Sequence, residues 1–326
     1  MLKFLYCRPF GTEIELDSFD GVAITPTGRF PEGIQYVANL VSQTLEEYVE
    51  IRDYAPTHWY KTHGYWVVKP DNSCGIEVCS PVMQGWYGLK KICQTIDAFQ
   101  NNSLITTSTN CSLHLHLDVN DLLEDEIGNI LRWWIKVEPV FLDSVPDDRK
   151  NNKYCQFMGL FDKLHYDKKL STTELIELFG LTKYHSMNSY HLWAGERNTL
   201  EYRIGEHFFC TNSYFTKNWV RLLIHFSEIA KEKAPDNLAW MDVKEVFDFL
   251  KFTNDLSPGM KQIRDWFLGR LFYNSSSCLD GFFKDTRDVT KKHIGELMKM
   301  FPDFDLKQSL YPPDYKEAVY DKIYSI

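Results

Sequence analysis

The sequence predicts an α+β fold, in which strand-like segments come first and a helical region follows towards the C-terminus. Four segments alternate polar and apolar residues with a period of two, which is typical of strands buried on one face. Several longer segments carry apolar residues at the spacing of an amphipathic helix. No internal repeat, low-complexity tract or flexible linker divides the 326 residues, a length that suits one elaborate domain or two modest ones.

The first strand-like segment is Thr12 to Leu16. In an extended chain, Glu13 and Glu15 share one face, while Ile14 and Leu16 share the other. Two carboxylates this close repel each other unless a cation lies near them. The segment therefore predicts a strand whose acidic face is suited to binding a cation.

The second segment, Trp66 to Pro81, is predicted to form two short strands around an Asp-Asn-Ser turn. Glu77 lies between Ile76 and Val78 and therefore faces away from them. The segment thus adds a third carboxylate to the polar strand faces.

The third segment, Leu113 to Asp118, alternates strictly. Its three leucines share one face, and His114, His116 and Asp118 share the other. Imidazole and carboxylate groups are side chains that bind divalent metal ions. This strand is therefore a candidate for a metal site.

The fourth segment, Arg197 to Arg203, places Glu201 between two guanidinium groups. As a strand, it collects Thr199, Glu201 and Arg203 on one face. Taken alone, each charged face has an ordinary explanation as a solvated strand, a structural histidine or a buried ion-pair cluster. Their occurrence together in one chain favours a shared acidic surface that binds metal.

Helices are predicted between and after these strands. The predicted ranges are 33–50, 86–100, 121–144, 212 onward, 243–252, 258–272 and 288–301. Pro139 is expected to kink the third of these helices or to end it. The helical region after residue 212 follows every polar strand face, so we interpret it as a support or a partner surface.

The composition argues against several classes of protein. The net charge of -9 and the pI of about 5.6 disfavour a surface for nonspecific binding to nucleic acid. No stretch approaches the roughly 20 apolar residues of a membrane-spanning helix, and the N-terminal residues lack the apolar core of a signal peptide. A cytoplasmic protein without membrane contact is therefore expected.

The combination of carboxylates, imidazoles and arginines predicts phosphoryl chemistry. Carboxylates bind Mg²⁺ together with water and substrate phosphates, and arginines neutralise phosphate oxygens through bidentate hydrogen bonds. The sequence has neither a P-loop nor a dinucleotide-binding motif, so a nucleotide would be bound by metal ions and the sheet. It also lacks recognisable serine-hydrolase and thiol-protease motifs.

The motifs occur in a characteristic order: Phe10–Glu15, Trp66–Ser73, Gly75–Pro81, Cys111–His116, Glu138, Arg149–Cys155 and Arg197–Arg203. This series, over residues 10 to 230, resembles the amidoligase family, which comprises carboxylate-amine ligases of the glutamine synthetase superfamily. One departure is Ser112, which stands where the family commonly has glycine before its His-x-His strand. Glycine lets a ligand approach the backbone closely, and serine alters that approach.

The resemblance implies a glutamine synthetase-like fold, a curved antiparallel sheet with flanking helices whose concave face binds ATP and two or more Mg²⁺ ions, with Mn²⁺ as an alternative. Residues 1–230 would form the catalytic domain, and residues 231–326 a helical C-terminal extension packed on it. A substrate carboxylate would attack the γ-phosphate of ATP, and an amine would capture the resulting acyl phosphate as an amide. The partners would be small-molecule or peptide acids and amines, and a homo-oligomer is compatible with the sequence.

The resemblance also assigns roles to individual residues. The metal ligands would be Glu13, Glu15, Glu77, His114 and Glu201. Arg197 and Arg203 would bind the nucleotide phosphates and stabilise the charge that develops during transfer. Arg149 would bind the substrate carboxylate or a phosphate.

Three polar residues complete the predicted site. Asp71 and Ser73 match the family's Asp-x-Ser pattern and would orient the substrate or a water molecule. His116 would hydrogen-bond a phosphate or hold its strand in place.

Two other functions are compatible with the same residues. A phosphotransferase would release a stable phosphorylated product without forming an amide. A non-catalytic nucleotide- or metabolite-binding protein would keep the fold, but such a protein does not need so many mutually repelling charges in one place. We therefore expect an ATP-dependent ligase.

Overall fold

The computed structural model describes residues 8–17, 32–52, 64–150, 152–158, 170–276 and 293–310. Within them, one mixed sheet contains the strands β1 (Phe10–Asp17), β2 (Val49–Ile51), β3 (Trp66–Asp71), β4 (Gly75–Cys79), β5 (Leu113–Asp118), β6 (Met187–Asn188) and β7 (Thr199–Tyr202). The strand order is β2-β3-β4-β1-β5-β7-β6. Neighbouring strands are antiparallel except for β2 and β3, which are parallel. The α+β prediction is confirmed at this level.

Helices alternate with the strands in the chain and continue after the last strand. They are α1 (Glu32–Leu45), α2 (Gly85–Gln100), α3 (Glu124–Asp143), α4 (Asp147–Lys150), α5 (Thr172–Gly180), α6 (Tyr190–Trp193), α7 (Ser213–Ala230), α8 (Val243–Phe249), α9 (Pro258–Ser276), α10 (293–300) and α11 (Leu306–Leu310). A 3₁₀ turn spans His207–Thr211. Among the described helices, none combines the length and the apolarity that a bilayer crossing requires.

The apolar face of the sheet forms one core with the helices. Alternate strand residues such as Ile14, Val78, Leu115 and Leu200 are fully buried, because every second side chain of a strand points to the same side. The 3₁₀ turn packs against β1 and β5, α1 packs against β3, and α7 packs against α2 and α3. The core therefore lies behind the sheet, and the polar strand faces point the other way.

The first helix is shorter than predicted. It ends at Leu45 rather than near residue 50, because Glu46 adopts a left-handed backbone conformation with φ of 55°. The chain then returns as β2, where Val49 and Ile51 pair with β3. The apolar residue Val49 fitted the helical spacing, but its β-branched side chain is in a strand.

Pro139 does not end α3, which continues to Asp143. An internal proline costs about 3 kcal/mol in an isolated helix. Here the flanking residues are buried, and the carboxylate of Glu138 accepts hydrogen bonds from the backbone N–H of Met158 at 2.9 and 3.0 Å and from the hydroxyl of Ser186. Tertiary packing therefore outweighs the local cost of the proline.

The C-terminal helices differ from the predicted ranges mainly at their ends. Helix α8 stops at Phe249, shortly before Lys251 with φ of 55°, whereas α9 runs on to Ser276. Of the helix predicted over 288–301, residues 293–300 are helical, and 288–292 lie outside the described residues. Helix α8 packs against α3, and α9 packs against both α3 and α7.

Candidate active site and metal centre

The polar faces of four central strands meet side by side. Glu15 lies opposite Glu77 across β1 and β4, Glu13 lies opposite His114 across β1 and β5, and His116 lies opposite Glu201 across β5 and β7. Register pairing brings side chains on the same face to within about 4.5–5.5 Å at Cβ. All five predicted metal ligands and His116 therefore belong to one surface.

His114 lies at the centre of this surface. Its Nδ1 atom is 3.1 Å from Glu13 Oε2 and 3.3 Å from Glu201 Oε1, and its Nε2 atom is 3.7 Å from Glu15 Oε1. One potential ligand atom from each of Glu13, His114 and Glu201 lies within 4.8 Å of the others. Two carboxylates and one imidazole in this arrangement suit a divalent cation.

The ionisation of this group favours metal binding. Burial and the charge of Arg203 lower the pKa of His114 to about 4, so its imidazole is neutral at neutral pH and has a lone pair to donate. Burial would raise the pKa of Glu13, but the charge of His116 and the hydrogen-bond contact with His114 hold it well below the usual range. Glu13 is therefore an anionic ligand beside a neutral one.

Glu201 accepts a hydrogen bond at each of its two carboxylate oxygens. Arg203 Nη1 donates to its Oε1 atom at 2.6 Å, and Asn188 Nδ2 donates to its Oε2 atom at 2.7 Å. Although burial opposes ionisation, the charges of Arg203 and His116 lower the pKa of Glu201 to about 2. Arg203 is itself positioned by a 3.2 Å hydrogen bond from Nε to the Tyr154 carbonyl.

Glu15 and Glu77 form a second acidic pair. Burial and the charge of Glu77 raise the pKa of Glu15 well above its usual value, and burial also raises the pKa of Glu77 despite the Lys69 ammonium. Glu77 Oε1 accepts from Lys69 Nζ at 2.8 Å and from the Cys79 thiol at 2.9 Å. Without a further cation, this part of the surface stores electrostatic repulsion.

Replacing Glu15 with glutamine should therefore stabilise the metal-free protein. Because the pKa of Glu15 is higher in the folded state, wild-type stability falls as pH rises from the ordinary carboxyl value of 4.5 towards the raised one. The difference in Tm between Glu15→Gln and wild type should be near zero below this pH window and should grow as the pH rises above it. Removing about 1 kcal/mol of repulsion between Glu15 and Glu77 would raise Tm by about 2–4 °C.

Thermal unfolding in a chelator across this pH range tests the prediction. Glu177→Gln, at an exposed position of α5, is the matched control and should leave Tm unchanged. If the Tm of Glu15→Gln stayed below that of wild type at every pH, the prediction that repulsion at Glu15 destabilises the metal-free protein would be wrong.

Asp71, the last residue of β3, and Ser73, in the turn between β3 and β4, lie at the rim of the site. Asp71 Oδ1 accepts hydrogen bonds from the backbone N–H of Ser73 at 2.7 Å and of Cys74 at 3.2 Å, and also from the Ser73 hydroxyl. The backbone N–H bonds form an Asx-type turn, and Gly75 follows it with φ of 120°. These contacts shape the rim, and a role in orienting substrate stays a prediction.

Arg149 is buried, with only 3% of its surface exposed. Its Nη2 atom donates to the Ser112 hydroxyl at 2.8 Å and to the Arg203 carbonyl at 2.5 Å. The guanidinium thus joins the segment before β5 to the end of β7. The serine that departs from the family pattern is one of its anchors.

Arg197 and Arg203 flank β7, which covers only Thr199–Tyr202. Arg197 lies in the turn before the strand. It nevertheless lines the same cleft as Arg203. Both predicted phosphate ligands therefore line the cleft, Arg197 from the segment before β7 and Arg203 from the residue after it.

A cleft of about 410 Å³ collects ten of the eleven predicted site residues: Glu13, Glu15, Asp71, Ser73, Glu77, His114, Arg149, Arg197, Glu201 and Arg203. His116 lines a second cavity of about 350 Å³, which shares Glu13 and Arg197 with the cleft. The second cavity also has aromatic and aliphatic walls from Phe10, Tyr65 and Val67. The two cavities adjoin across the polar face of the sheet.

Sequence reasoning missed several residues of the cleft. Lys69, Tyr154, Lys183, Tyr184, Tyr190 and His191 also line it, and Asn188 contacts Glu201. Lys69 could have been found from the alternation in β3, because it shares a face with Asp71. The others lie in or beside turns and short elements, where no periodic pattern marks the side that faces the cleft.

A sequence model of the family described as a putative amidoligase enzyme matches residues 40–222, which is more than half of the chain. The chain belongs to this amidoligase family. Membership supports a ligase activity. The matched part of the chain includes Glu77, His114, Glu201 and Arg203, whereas β1 with Glu13 and Glu15 precedes it.

Comparisons with individual proteins add little to the family assignment. No curated protein matches the chain. Among solved structures, it is similar to a bifunctional glutathione synthetase from Pasteurella multocida, with 9% identity and a TM-score of 0.36 over 98% of this chain and 52% of that one. The chain thus spans about half the length of that protein.

Proposed function

We propose that this protein is an ATP-dependent carboxylate-amine ligase, which forms an amide through an acyl phosphate and depends on Mg²⁺. The observation that carries the proposal is the group of Glu13, His114 and Glu201, with Arg203 bonded to Glu201, inside one cleft. Carboxylate ligands suit Mg²⁺, and the imidazole makes Mn²⁺ an alternative. When bound, these ions would neutralise phosphate oxygens and align the nucleotide.

The arginines would act on the transferred phosphoryl group. In the proposed reaction, a substrate carboxylate oxygen attacks the γ-phosphorus and ADP leaves. The amine then attacks the acyl carbonyl, loses a proton, and inorganic phosphate leaves. Arg197 and Arg203 would stabilise the charge on the phosphoryl oxygens, and Arg149 would hold the acid.

The second cavity is the proposed position of the nucleoside. Its walls of Phe10, Tyr65 and Val67 suit a flat and largely apolar base. The boundary that it shares with the cleft contains Glu13 and Arg197. A nucleotide lying across this boundary would place its phosphates beside the metal group.

We also propose that the sheet is the glutamine synthetase-like catalytic sheet. Six neighbouring strands, in the spatial order β3-β4-β1-β5-β7-β6, pair antiparallel and support this proposal. The edge strand β2 pairs parallel with β3, which departs from a purely antiparallel sheet. Residues 1–230 would then form the catalytic domain, with residues 231–326 as a packed extension in a cytoplasmic enzyme.

Nucleotide binding tests the proposal without knowledge of the substrates. A non-hydrolysable ATP analogue at 100 times its Kd should stabilise the protein by about 2.7 kcal/mol, and only when Mg²⁺ is present. Glu15→Gln should lose this Mg²⁺-dependent shift, and Glu177→Gln should keep it. If neither ATP analogue nor Mg²⁺ shifts Tm of the wild type, the ligase proposal fails.

Product analysis distinguishes the ligase from a phosphotransferase. Acids and amines would be screened for ADP release, and the products would be identified by mass spectrometry. An amide together with phosphate supports the ligase. A stable phosphorylated acid that forms no amide would identify a phosphotransferase instead.

A further inference from the structure

A second group of potential metal ligands lies beside the one at Glu13. It contains His116 from β5, His191 from α6 and Glu201 from β7, with one ligand atom of each within 4.8 Å of the others. The rings of His116 and His191 are neighbours, with centroids 5.9 Å apart. Two imidazoles and one carboxylate form a ligand set different from the oxygen-rich set expected for Mg²⁺.

His191 is oriented as a metal ligand. Its Nδ1 atom lies 2.9 Å from Glu196 Oε2, which leaves Nε2 as the coordinating nitrogen. Imidazoles that bind metal almost always engage a carboxylate or carbonyl through the other ring nitrogen, because this contact fixes the tautomer and the ring orientation. The Glu196 carboxylate supplies that contact.

The backbone around His191 is also fixed. The carbonyl of His191 accepts hydrogen bonds from the N–H of Glu196 at 2.9 Å and from the N–H of Arg197 at 3.1 Å. Gly195 allows this tight turn with φ of 66°. The turn therefore fixes the backbone between His191 and Glu196, and α6 contacts β7.

His116 supplies an independent observation. Its side chain is buried, with 7% exposed, and within the described part of the chain neither ring nitrogen has a hydrogen-bond partner. Its Nε2 atom lies 3.1 Å from Glu13 Oε1, without hydrogen-bond geometry, and 3.8 Å from Glu201 Oε1. A buried imidazole that faces the carboxylate oxygens of Glu13 and Glu201 without hydrogen-bonding to them is suited to binding a metal ion together with Glu201.

We propose that His116, His191 and Glu201 bind a divalent transition-metal ion of the Zn²⁺, Co²⁺ or Mn²⁺ type, in a site distinct from the Mg²⁺ group at Glu13. Imidazole ligands favour these ions over Mg²⁺, which prefers oxygen ligands. Both groups contain Glu201, so ions in the two sites would be neighbours. The transition-metal ion would then add charge next to the boundary between the two cavities.

Cobalt titration of the metal-free, full-length protein tests this site. Visible absorption of bound Co²⁺ would be followed in excess Mg²⁺, which fills the oxygen-rich group. Wild type is expected to bind Co²⁺ with a nitrogen-ligand spectrum, and His191→Gln is expected to lose this binding. Glu196→Gln keeps all three ligands and should weaken binding by about 10–100-fold.

Two controls isolate the effect. His207→Gln replaces a half-buried histidine in the 3₁₀ turn and should bind Co²⁺ like wild type. Glu177→Gln replaces an exposed carboxylate of α5 and should also keep the Co²⁺ spectrum. Unchanged affinity and stoichiometry in His191→Gln, or equal losses in His207→Gln, would overturn the proposal.

The titration uses neither nucleotide nor substrate, so its result is independent of the proposed ligase reaction. Co²⁺ binding that requires His191 would stand even if ATP analogues do not bind. Conversely, Mg²⁺-dependent nucleotide binding with no Co²⁺ site would leave the ligase proposal intact and remove the transition-metal site.

Discussion

Glu201→Gln is expected to eliminate turnover while the protein still folds. Glu201 is only 3% exposed, lies 3.3 Å from the central His114 nitrogen and accepts a 2.6 Å hydrogen bond from Arg203. Glutamine keeps the size of the side chain but removes the charge that a divalent ion requires. Because Glu201 belongs to both candidate metal groups, the change should affect both.

The measurement is ADP release with the acid and amine found by screening, together with Tm of the variant. The neutral amide can still accept from Arg203, and Glu13 and Glu15 remain near that guanidinium, so the folded state should persist. Glu177→Gln serves again as the control and should keep wild-type kcat. Turnover at the wild-type rate in Glu201→Gln would exclude Glu201 from the metal centre.

Arg203→Lys is expected to lower kcat by about 10³-fold or more, in line with the contribution of an arginine that stabilises phosphoryl transfer. Arg203 donates from Nη1 to Glu201 and from Nε to the Tyr154 carbonyl at 3.2 Å. The planar guanidinium makes these contacts in a fixed direction, whereas a lysine ammonium is a point charge on a flexible chain. The loss should appear in kcat because the contact strengthens in the transition state.

A buried arginine outside the cleft provides the control for this substitution. Arg221 in α7 is 6% exposed and donates to Gln262 at 3.1 Å and to the Gly259 carbonyl at 2.7 Å. Arg221→Lys should lower stability without changing kcat of the folded enzyme. If Arg203→Lys kept wild-type kcat and only lowered Tm, Arg203 would be a structural residue.

Local pattern was sufficient to find most of the candidate site. The alternation of Glu13 with Ile14, and of His114 with Leu115, places the polar members on one face of each strand, whatever the strand pairs with. The ordered motifs then resembled one family, which the match to residues 40–222 confirms. The metal, nucleotide and substrate roles of individual residues stay predictions.

Local pattern failed where distant contacts decide the conformation. Val49 fitted a helix by spacing, but it pairs with Trp66 in a parallel strand. Pro139 was expected to kink α3 or to end it; it does not end the helix, because Glu138 and its neighbours are buried against residues far away in sequence. His191 lies in a four-residue helix that carries no periodic signal.

The sequence by itself determined which side chains share a strand face and which chemistry they offer, because the direction of a side chain in a strand depends on its own backbone alone. Only the tertiary structure decided that Glu15 opposes Glu77, that His116 opposes Glu201, and that His191 joins them. Strand order and register arise from pairing between segments distant in the chain, whose free energy depends on the whole core rather than on any local pattern.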